Sequence, residues 1–365
     1  MTKPRARDLG LALPGTPGPL NAITDVPGVE VGTSEVLSSR DPSLATRGIP
    51  VQTGVTAILP RGRQAQPSPV WAGQFSLNGN GEMTGAHWIR DGGWFCGPVM
   101  ITNTHSVGIV HQAATRWMIE TYAGAWETNH LWALPVVGET YDGVLNDING
   151  LHITEAHARA ALDAARSGPV AEGNTGGGAG MICYEFKGGT GTSSRQIVID
   201  GKNFAIGALV QANHGLRPWL TVAGRNVGAH MLENRVPGMT RESGSIIVVL
   251  ATDLPLLPGQ LERVARRASI GIGRGGTPGG NNSGDIFLAF STANQMPLPQ
   301  VSGAWRQMQC LNDELLDPVY MAAVEAVEEA VLNALCAAKA VAFARPNKGV
   351  CVELDTDHLK RLLAV

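Results

Sequence analysis

An unbroken run of five apolar residues, 246–250, constrains the fold of this chain more than any other segment. A polar loop opened by Pro237 and Gly238 leads into the run, and Asp253 and Pro255 follow it. Isoleucine, valine and leucine in such a short stretch, bounded by turn residues, are typical of a strand that is buried on both faces. We therefore predict a buried strand that begins close to Ser245.

The junction in front of this strand has two interpretations. Gly244, which lacks a side chain, precedes Ser245. On these residues alone, the simpler interpretation is a strand start with small residues in a turn. The alternative is a self-cleaving Gly244–Ser245 bond that exposes Ser245 as an N-terminal nucleophile, and the rest of the chain has to decide between them.

Strands and helices are mixed along the whole chain. Strands are predicted at about 54–59, 131–138, 181–186, 197–199, 204–210, 245–250 and 285–292. Helices are predicted at about 107–122, 152–166, from 258, from 317 and at about 357–364. Asp200-Gly201 suits a tight hairpin turn, and Asp317 before Pro318 suits a helix N-cap. Residues 73–104 give no assignment beyond short strands and turns.

This pattern has few clean βαβ repeats, no linker and no internal repeat. It favours an α+β protein, a layered αββα body in which residues 1–365 form a single domain, over two separable domains. Charged residues make up only 16% of the chain, and 46 residues are glycine. Both values suggest a compact, loop-rich protein that buries part of its surface, as subunits of an oligomer do. The net charge of −3 means that basic residues are not in excess, so the sequence does not predict a nucleic-acid-binding protein.

The five cysteines are scattered, odd in number and without a C-x-x-C pair. They indicate a reducing compartment, so we expect a cytoplasmic protein. The N-terminus is basic, but no apolar segment follows it, and no apolar run approaches 18 residues. The sequence therefore predicts neither a secretory signal nor a membrane span.

Several motif-based functions are not supported. Residues 271–276 fit G-x-G-x-x-G, but a predicted helix precedes them, whereas a dinucleotide loop leaves a strand and opens a helix. The sequence contains no P-loop motif. His152 and His157 lie five positions apart on a predicted helix, about 140° from a shared face, so they are poor co-ligands for a metal. We predict no metal and no cofactor.

Other residues suit the chemistry of an N-terminal serine. No G-x-S-x-G elbow surrounds Ser245, but the α-amine of an N-terminal serine, with a pKa near 8, can itself take the hydroxyl proton. Asn213 follows a predicted strand and is a candidate oxyanion donor. Ser283, Gly284 and Asp285 offer a hydroxyl, a backbone N–H and a carboxylate in one turn.

Two further features have both structural and functional interpretations. The glycine-rich segment 275–282 is a flexible surface loop or a loop whose amides approach a small ligand. Glu139 and Tyr141 are ordinary polar residues at a strand end or a carboxylate and a phenol that face a cleft. Trp132, just before them, is a candidate substrate-binding residue.

Five segments together resemble the L-aminopeptidase/D-Ala-esterase/amidase family, the DmpA-like peptidases that include β-peptidyl aminopeptidases. They occur in family order over most of the chain: Ile-Thr-Asp-Val-Pro-Gly-Val-Glu-Val-Gly at 23–32, Glu-Thr-Tyr-Asp-Gly at 139–143, Ala-Asn-His-Gly at 212–215, Gly-Ser-Ile-Ile-Val at 244–248 and Gly-Gly-Asn-Asn-Ser-Gly-Asp at 279–285. No single segment is specific, but the ordered set is.

The resemblance implies a precursor that cuts itself before Ser245 into an α fragment, 1–244, and a β fragment, 245–365. It implies an αββα sandwich like that of N-terminal-nucleophile hydrolases but with a different connectivity, shared with ornithine acetyltransferase. It also implies tetramers of αβ pairs that remove N-terminal residues from short peptides, amides and esters. Some relatives accept D-alanine or β-amino acids.

The resemblance also implies roles for single residues. Ser245 would be the nucleophile, and Asn213 and the Gly284 N–H the oxyanion donors. Ser283 and Asp285 would position the Ser245 amine and hydroxyl, although some relatives carry Glu in place of Asp285. Tyr141 would line the site. Glu139 as the partner of the substrate ammonium is our own inference.

Two alternatives to hydrolysis remain open at this point. An acyl-enzyme can pass its acyl group to an amine, as in an acyltransferase of the ornithine acetyltransferase type. A non-catalytic binding protein could also keep the same fold.

Overall fold

The computed structural model of this chain describes residues 3–346 and 348–364. Ten of its strands form two sheets: β1 Glu30–Leu37, β2 Gln52–Leu59, β3 Val70–Ser76, β4 Trp94–Phe95, β5 Val99–Asn103, β6 Val136–Thr140, β7 Gly189–Ile199, β8 Lys202–Asn213, β9 Ser245–Thr252 and β10 Gly284–Ser291. The α-helices are α1 Ala86–Gly92, α2 Val107–Thr121, α3 Ala123–Thr128, α4 Glu155–Asp163, α5 Pro258–Arg274, α6 Asp317–Ala337 and α7 Thr356–Leu363. Shorter hairpins pair Ile182–Cys183 with Phe186–Lys187, Thr221–Val222 with Arg225–Asn226, and Val341–Ala342 with Val350–Cys351.

The two sheets have mixed strand directions. The four-stranded sheet has the order β1-β2-β5-β6, and the six-stranded sheet has the order β4-β3-β10-β9-β8-β7. In the six-stranded sheet, β9 runs parallel to β10 and antiparallel to β8. In the four-stranded sheet, β5 and β6 are parallel. Each sheet therefore contains one βαβ unit, β5-α2-α3-β6 or β9-α5-β10, and its other neighbouring strands are antiparallel.

The sheets pack face to face, and helices cover both outer surfaces. Side chains of both sheets, such as Ile58 and Ile101 from one and Ile247 and Leu288 from the other, form one apolar cluster. Helices α5 and α6 pack on the outer face of the six-stranded sheet. Helices α2 and α4 pack on the outer face of the four-stranded sheet. This arrangement is the predicted αββα sandwich.

Two local predictions are confirmed by the backbone. Every residue of β9 is buried, as its apolar run predicts. The turn between β7 and β8 places Asp200 at φ 49° and Gly201 at φ 71°, the positive values that a type I′ turn requires at both central positions. This turn fixes the register that brings Asn213 to the end of β8.

Other predicted boundaries need correction. The strand predicted at 131–138 begins only at Val136, because the residues before it have no partner strand. The helix predicted at 152–166 covers only Glu155–Asp163. Asp317 is the first residue of α6 rather than its cap, and no side chain caps that helix. Residues 271–274 of the G-x-G-x-x-G match lie inside α5, which agrees with rejecting a dinucleotide loop.

No helix within 3–346 and 348–364 has the length and apolar character needed to cross a membrane. Within the same residues, no group of three His, Cys, Asp or Glu side chains is arranged to hold a metal ion.

Candidate active site

Three neighbouring strands of the six-stranded sheet bring candidate residues to one edge. Asn213 is the last residue of β8, Ser245 the first of β9 and Gly284 the first of β10. Asn213 is paired directly with Ser245, and Ser245 is paired directly with Gly284. Because paired residues in adjacent strands lie about 5 Å apart, the sheet itself assembles these three positions.

The Gly244–Ser245 bond lies against the donor at Gly284. The Gly284 N–H donates a hydrogen bond to the Gly244 carbonyl oxygen, with an N···O distance of 3.3 Å. A Cβ atom on Gly244 would lie 1.9 Å from the Asn213 carbonyl oxygen, so only glycine fits there. Ser245 is 4% exposed. The requirement for glycine at this position therefore comes from the close approach of the Asn213 backbone.

The Asn213 side chain is fixed on both sides of its amide. Its Oδ1 accepts the Ile182 N–H at 2.8 Å, and its Nδ2 donates to the Tyr141 carbonyl at 3.0 Å. A primary amide carries two N–H donors, so one remains after the bond to Tyr141. The Asn213 amide is thus held beside Ser245, and these two hydrogen bonds leave one of its N–H groups to donate elsewhere.

Ser283 and Asp285 form a buried pair on either side of Gly284. Ser283 Oγ donates to Asp285 Oδ1 at 2.6 Å. Asn78 Nδ2 donates to Asp285 Oδ2 at 3.0 Å, and Asn78 Oδ1 accepts the Asp285 N–H at 2.6 Å. Burial raises the pKa of Asp285 to about 6, although the hydrogen bonds from Ser283 and Asn78 lower it. The carboxyl group is therefore mainly ionised at neutral pH and changes charge just below it.

Glu139, the residue before the last of β6, presents a second buried carboxyl group near this edge. Its Oε1 accepts the Glu82 N–H at 2.9 Å, and its Oε2 accepts the Thr104 hydroxyl. Burial raises the pKa of Glu139, while these hydrogen bonds lower it. A Cβ on Gly81 would lie 3.1 Å from Glu139 Oε1 and 3.3 Å from the Gly284 Cα. The carboxylate is therefore a close neighbour of the proposed oxyanion donor.

A small cavity of about 70 Å³ lies at the junction and is lined by Tyr141, Val144, Gly180, Ile182, Asn213, His214, Gly215, Met239, Glu242, Ser243 and Gly244. Tyr141 is 43% exposed. Its ring centroid lies 6.4 Å from that of His105. Trp132 lines a different, apolar cavity together with Trp88, Trp94 and Trp126. The structure thus brings together every predicted site residue except Trp132.

Sequence reasoning missed two residues of this site. Asn78, which holds Asp285, lies in the segment that gave no assignment. Glu242 is buried three positions before Ser245 and accepts hydrogen bonds from two other loops. Its only signal in the sequence was an acidic residue next to the Gly-Ser junction.

Comparisons with known proteins agree with this geometry. Residues 21–348 match the model of peptidase family S58. The chain is 50% identical over 349 residues to the beta-peptidyl aminopeptidase BapA of Sphingosinicella microcystinivorans, which covers 92% of this chain and 86% of the relative.

Two solved structures share the fold. The L-aminopeptidase D-Ala-esterase/amidase of Ochrobactrum anthropi, described as a prototype for the serine aminopeptidases and a new variant among the Ntn hydrolase fold, matches with a TM-score of 0.94 and 56% identity. It covers 99% of this chain and 98% of its own. A Burkholderia sp. beta-aminopeptidase matches with a TM-score of 0.89 and 44% identity, over 99% and 98% of the two chains. This chain therefore belongs to peptidase family S58 and is a hydrolase of the aminopeptidase type.

Proposed function

We propose that this chain cleaves itself between Gly244 and Ser245 and then hydrolyses the N-terminal residue from short peptides, amides and esters through an acyl-enzyme on Ser245. The observation that carries this proposal is the hydrogen bond from the Gly284 N–H to the Gly244 carbonyl. A parallel ladder makes such a bond in any protein. Here its acceptor is the carbonyl of the bond to be cut, and the Asn213 amide lies on the other side of Ser245.

Self-cleavage begins with attack of Ser245 Oγ on the Gly244 carbonyl carbon. Negative charge develops on the Gly244 oxygen, which the Gly284 N–H already contacts and to which Asn213 Nδ2 offers its remaining proton. The C–N bond breaks, the nitrogen takes up the proton lost by the hydroxyl, and an ester joins Gly244 to Ser245. This step already frees the Ser245 amine, and water then hydrolyses the ester to release the Ser245 hydroxyl and the Gly244 carboxylate.

Turnover in the processed enzyme repeats this attack on a substrate carbonyl. The Ser245 amine takes the hydroxyl proton and gives it to the leaving group, and water later removes the acyl group. Ser283 and Asp285 orient the amine and hydroxyl. Glu139 is the carboxylate that we assign to the substrate ammonium, because a charge-assisted hydrogen bond suits a buried acceptor with two hydrogen bonds already in place.

The names of the relatives support a particular range of substrates. They include beta-peptidyl aminopeptidases and an L-aminopeptidase that is also a D-Ala esterase/amidase. We propose that this chain accepts substrates with an unblocked N-terminal β-amino acid and with D- or L-alanine. The kcat/KM values for matched β-alanyl, D-alanyl and L-alanyl amides test the range, and N-acetylated versions of the same amides should not react.

We also propose a tetramer of αβ pairs in the cytoplasm. The proposal rests on the family resemblance for the assembly and, for the compartment, on cysteines that are all free thiols in the described chain. Sedimentation velocity of the processed protein tests the assembly, and fractionation of the source cells tests the location.

The decisive experiment is the intact mass of purified protein under denaturing conditions. We expect two fragments that meet between Gly244 and Ser245 in the wild type and one full-length chain in Ser245→Ala. Ser245→Cys, which keeps a nucleophile, should still yield fragments. If wild-type protein hydrolyses amides but gives a single full-length mass, the proposal of self-cleavage is wrong.

A further inference from the structure

One side chain stands out in the loop that precedes the Gly244–Ser245 bond. Residues 237–241 and 243 are exposed or half-buried, whereas Glu242 is only 7% exposed. An exposed loop gains little by burying a carboxylate, because removing a charge from water is costly unless hydrogen bonds replace the solvent. The burial of Glu242 therefore calls for an explanation beyond loop packing.

Hydrogen bonds from two other segments hold this carboxylate. Glu242 Oε1 accepts the Gly215 N–H at 2.6 Å and the Thr277 hydroxyl at 3.0 Å. Glu242 Oε2 accepts the Gly280 N–H at 2.9 Å. No cation is among these partners. The carboxylate thus connects its own loop to the segment after β8 and to the glycine-rich loop before β10.

Both of these segments lead directly to the oxyanion donors. Gly215 lies two residues after Asn213. The Gly280 carbonyl accepts the Ser283 N–H at 2.9 Å and the Asn78 amide at 3.1 Å. Ser283 immediately precedes Gly284, which contacts the Gly244 carbonyl. A shift of Glu242 would therefore move the carbonyl under attack relative to its donors.

We propose that Glu242 is a positioning residue for self-cleavage, which holds the Gly244 carbonyl against the Gly284 N–H and beside Asn213. This inference rests on the self-cleavage proposed above. Glu242 does not touch the reacting atoms. It acts by joining, through one carboxylate, the loop that carries the bond to be cut and the two loops that carry the donors.

The charge of Glu242 gives this role a pH signature. Its negative charge is one of the causes that raise the pKa of Asp285. The ionisable groups that face Glu242 from other segments include Cys183, Tyr184 and His214. Burial raises the pKa values of Cys183 and Tyr184 and lowers the pKa of His214 to about 3. These three groups stay neutral around the pKa of Asp285. Removing the charge at position 242 should therefore lower the pKa of Asp285.

The test follows self-cleavage of chains made by cell-free translation over a series of pH values. Glu242→Gln keeps the shape of the side chain and should slow cleavage on the order of 10- to 100-fold, the loss expected from a small misplacement of reacting groups. The acid limb of its rate profile should move to lower pH. Glu233→Gln, which changes an exposed carboxylate of the same loop, should cleave like the wild type.

A second pair of variants tests the hydrogen bond that the Thr277 hydroxyl donates to the Glu242 carboxylate. Thr277→Val removes the hydroxyl donor and should slow cleavage, whereas Thr277→Ser keeps it and should not. Thermal unfolding of Ser245→Ala with and without Glu242→Gln checks that the variant folds; if it does not, the Thr277 pair decides.

The outcomes separate this inference from the proposed function. An uncleaved wild-type chain would refute self-cleavage and this inference with it. A cleaved wild type with unchanged cleavage in Glu242→Gln, or equal rates in Thr277→Val and Thr277→Ser, would overturn only the role of Glu242. Slow cleavage with an unmoved acid limb would show a purely structural role and would overturn it as well.

Discussion

The two sheets of the sandwich contribute different chemistry to the same cleft. The six-stranded sheet presents Ser245, Asn213 and Gly284 at the ends of three adjacent strands. The four-stranded sheet presents Glu139 in β6 and Tyr141 just after it. Groups of the first sheet lie against the Gly244–Ser245 bond, which we propose to be cleaved, whereas those of the second lie around it.

This difference separates two kinds of contribution to catalysis. Donors that meet charge only as it develops in the transition state act on kcat. A carboxylate that holds the substrate ammonium acts equally before and during reaction, so it acts mainly on KM. Substitutions in the two sheets should therefore have different kinetic signatures.

The largest effect is expected at Asn213 in the six-stranded sheet. Asn213→Ala removes an oxyanion donor and should lower kcat by about 10²–10³. The rate is to be measured per cleaved chain, since self-cleavage should slow as well. Asn213→Asp keeps the acceptor for the Ile182 N–H but cannot donate, so it should lose as much. An unchanged kcat in Asn213→Ala would remove Asn213 from the site.

A smaller effect with the opposite signature is expected at Glu139. Glu139→Gln removes the charge but keeps the shape, and should raise KM about 10- to 100-fold with little change in kcat, since a hydrogen bond between charged groups contributes about 1.5–3 kcal/mol. Glu82→Gln is the matched control: it removes a neighbouring charge that raises the pKa of Glu139 but keeps the backbone N–H that bonds to Glu139, so KM should not rise.

A substrate without an ammonium group makes this comparison sharper. A reactive acyl ester without an ammonium group should be hydrolysed at the same low rate by Glu139→Gln and by the wild type. If kcat fell and KM stayed constant for ammonium substrates, the division between the two sheets would be wrong.

The sequence was most informative where local chemistry decides the structure. The apolar run of β9 and the Asp200-Gly201 turn were predictable because burial and positive φ values act within a few residues. The strand predicted at 131–138 fails at its start, because strand pairing with β5 begins at Val136. Trp132, 48% exposed, belongs to the segment before Val136, which pairs with no strand. The segment and the strand are both rich in apolar residues, so composition alone could not separate them.

In the candidate site, too, local features were predictable from the sequence and contacts between distant segments were not. Asn213, Ser283, Gly284 and Asp285 were predictable because they lie in short segments with turn or strand-end chemistry. Asn78 was not, because its contact with Asp285 spans 207 positions. It arises from the pairing of β3 with β10, in which Ser76 lies opposite Ile286. Nothing in the sequence around Asn78 encodes that pairing.

Asn78 provides the smallest and most specific prediction. In the intact chain the Ser245 nitrogen is an amide and does not titrate, whereas Asp285, two residues from Ser283, has a pKa raised to about 6. Its ionised form accepts the Ser283 hydroxyl, which leaves the Ser283 oxygen as the acceptor that we propose for the Ser245 hydroxyl. Self-cleavage should therefore fall as the pH drops through the pKa of Asp285.

Asn78→Ala removes a hydrogen bond that lowers this pKa. The pKa should rise, so the acid limb of self-cleavage should move to higher pH by about one to two units, because a hydrogen bond to a charged group contributes about 1.5–3 kcal/mol and one pKa unit corresponds to about 1.4 kcal/mol. Well above the limb, the rate should change little, because Ser283 still donates to Asp285. Asn80→Ala, an exposed neighbour that contacts the Asn282 carbonyl instead, is the matched control. A limb that stays in place in Asn78→Ala would mean that Asp285 does not set the pH dependence, and the buried pair of Ser283 and Asp285 would then have only a structural role.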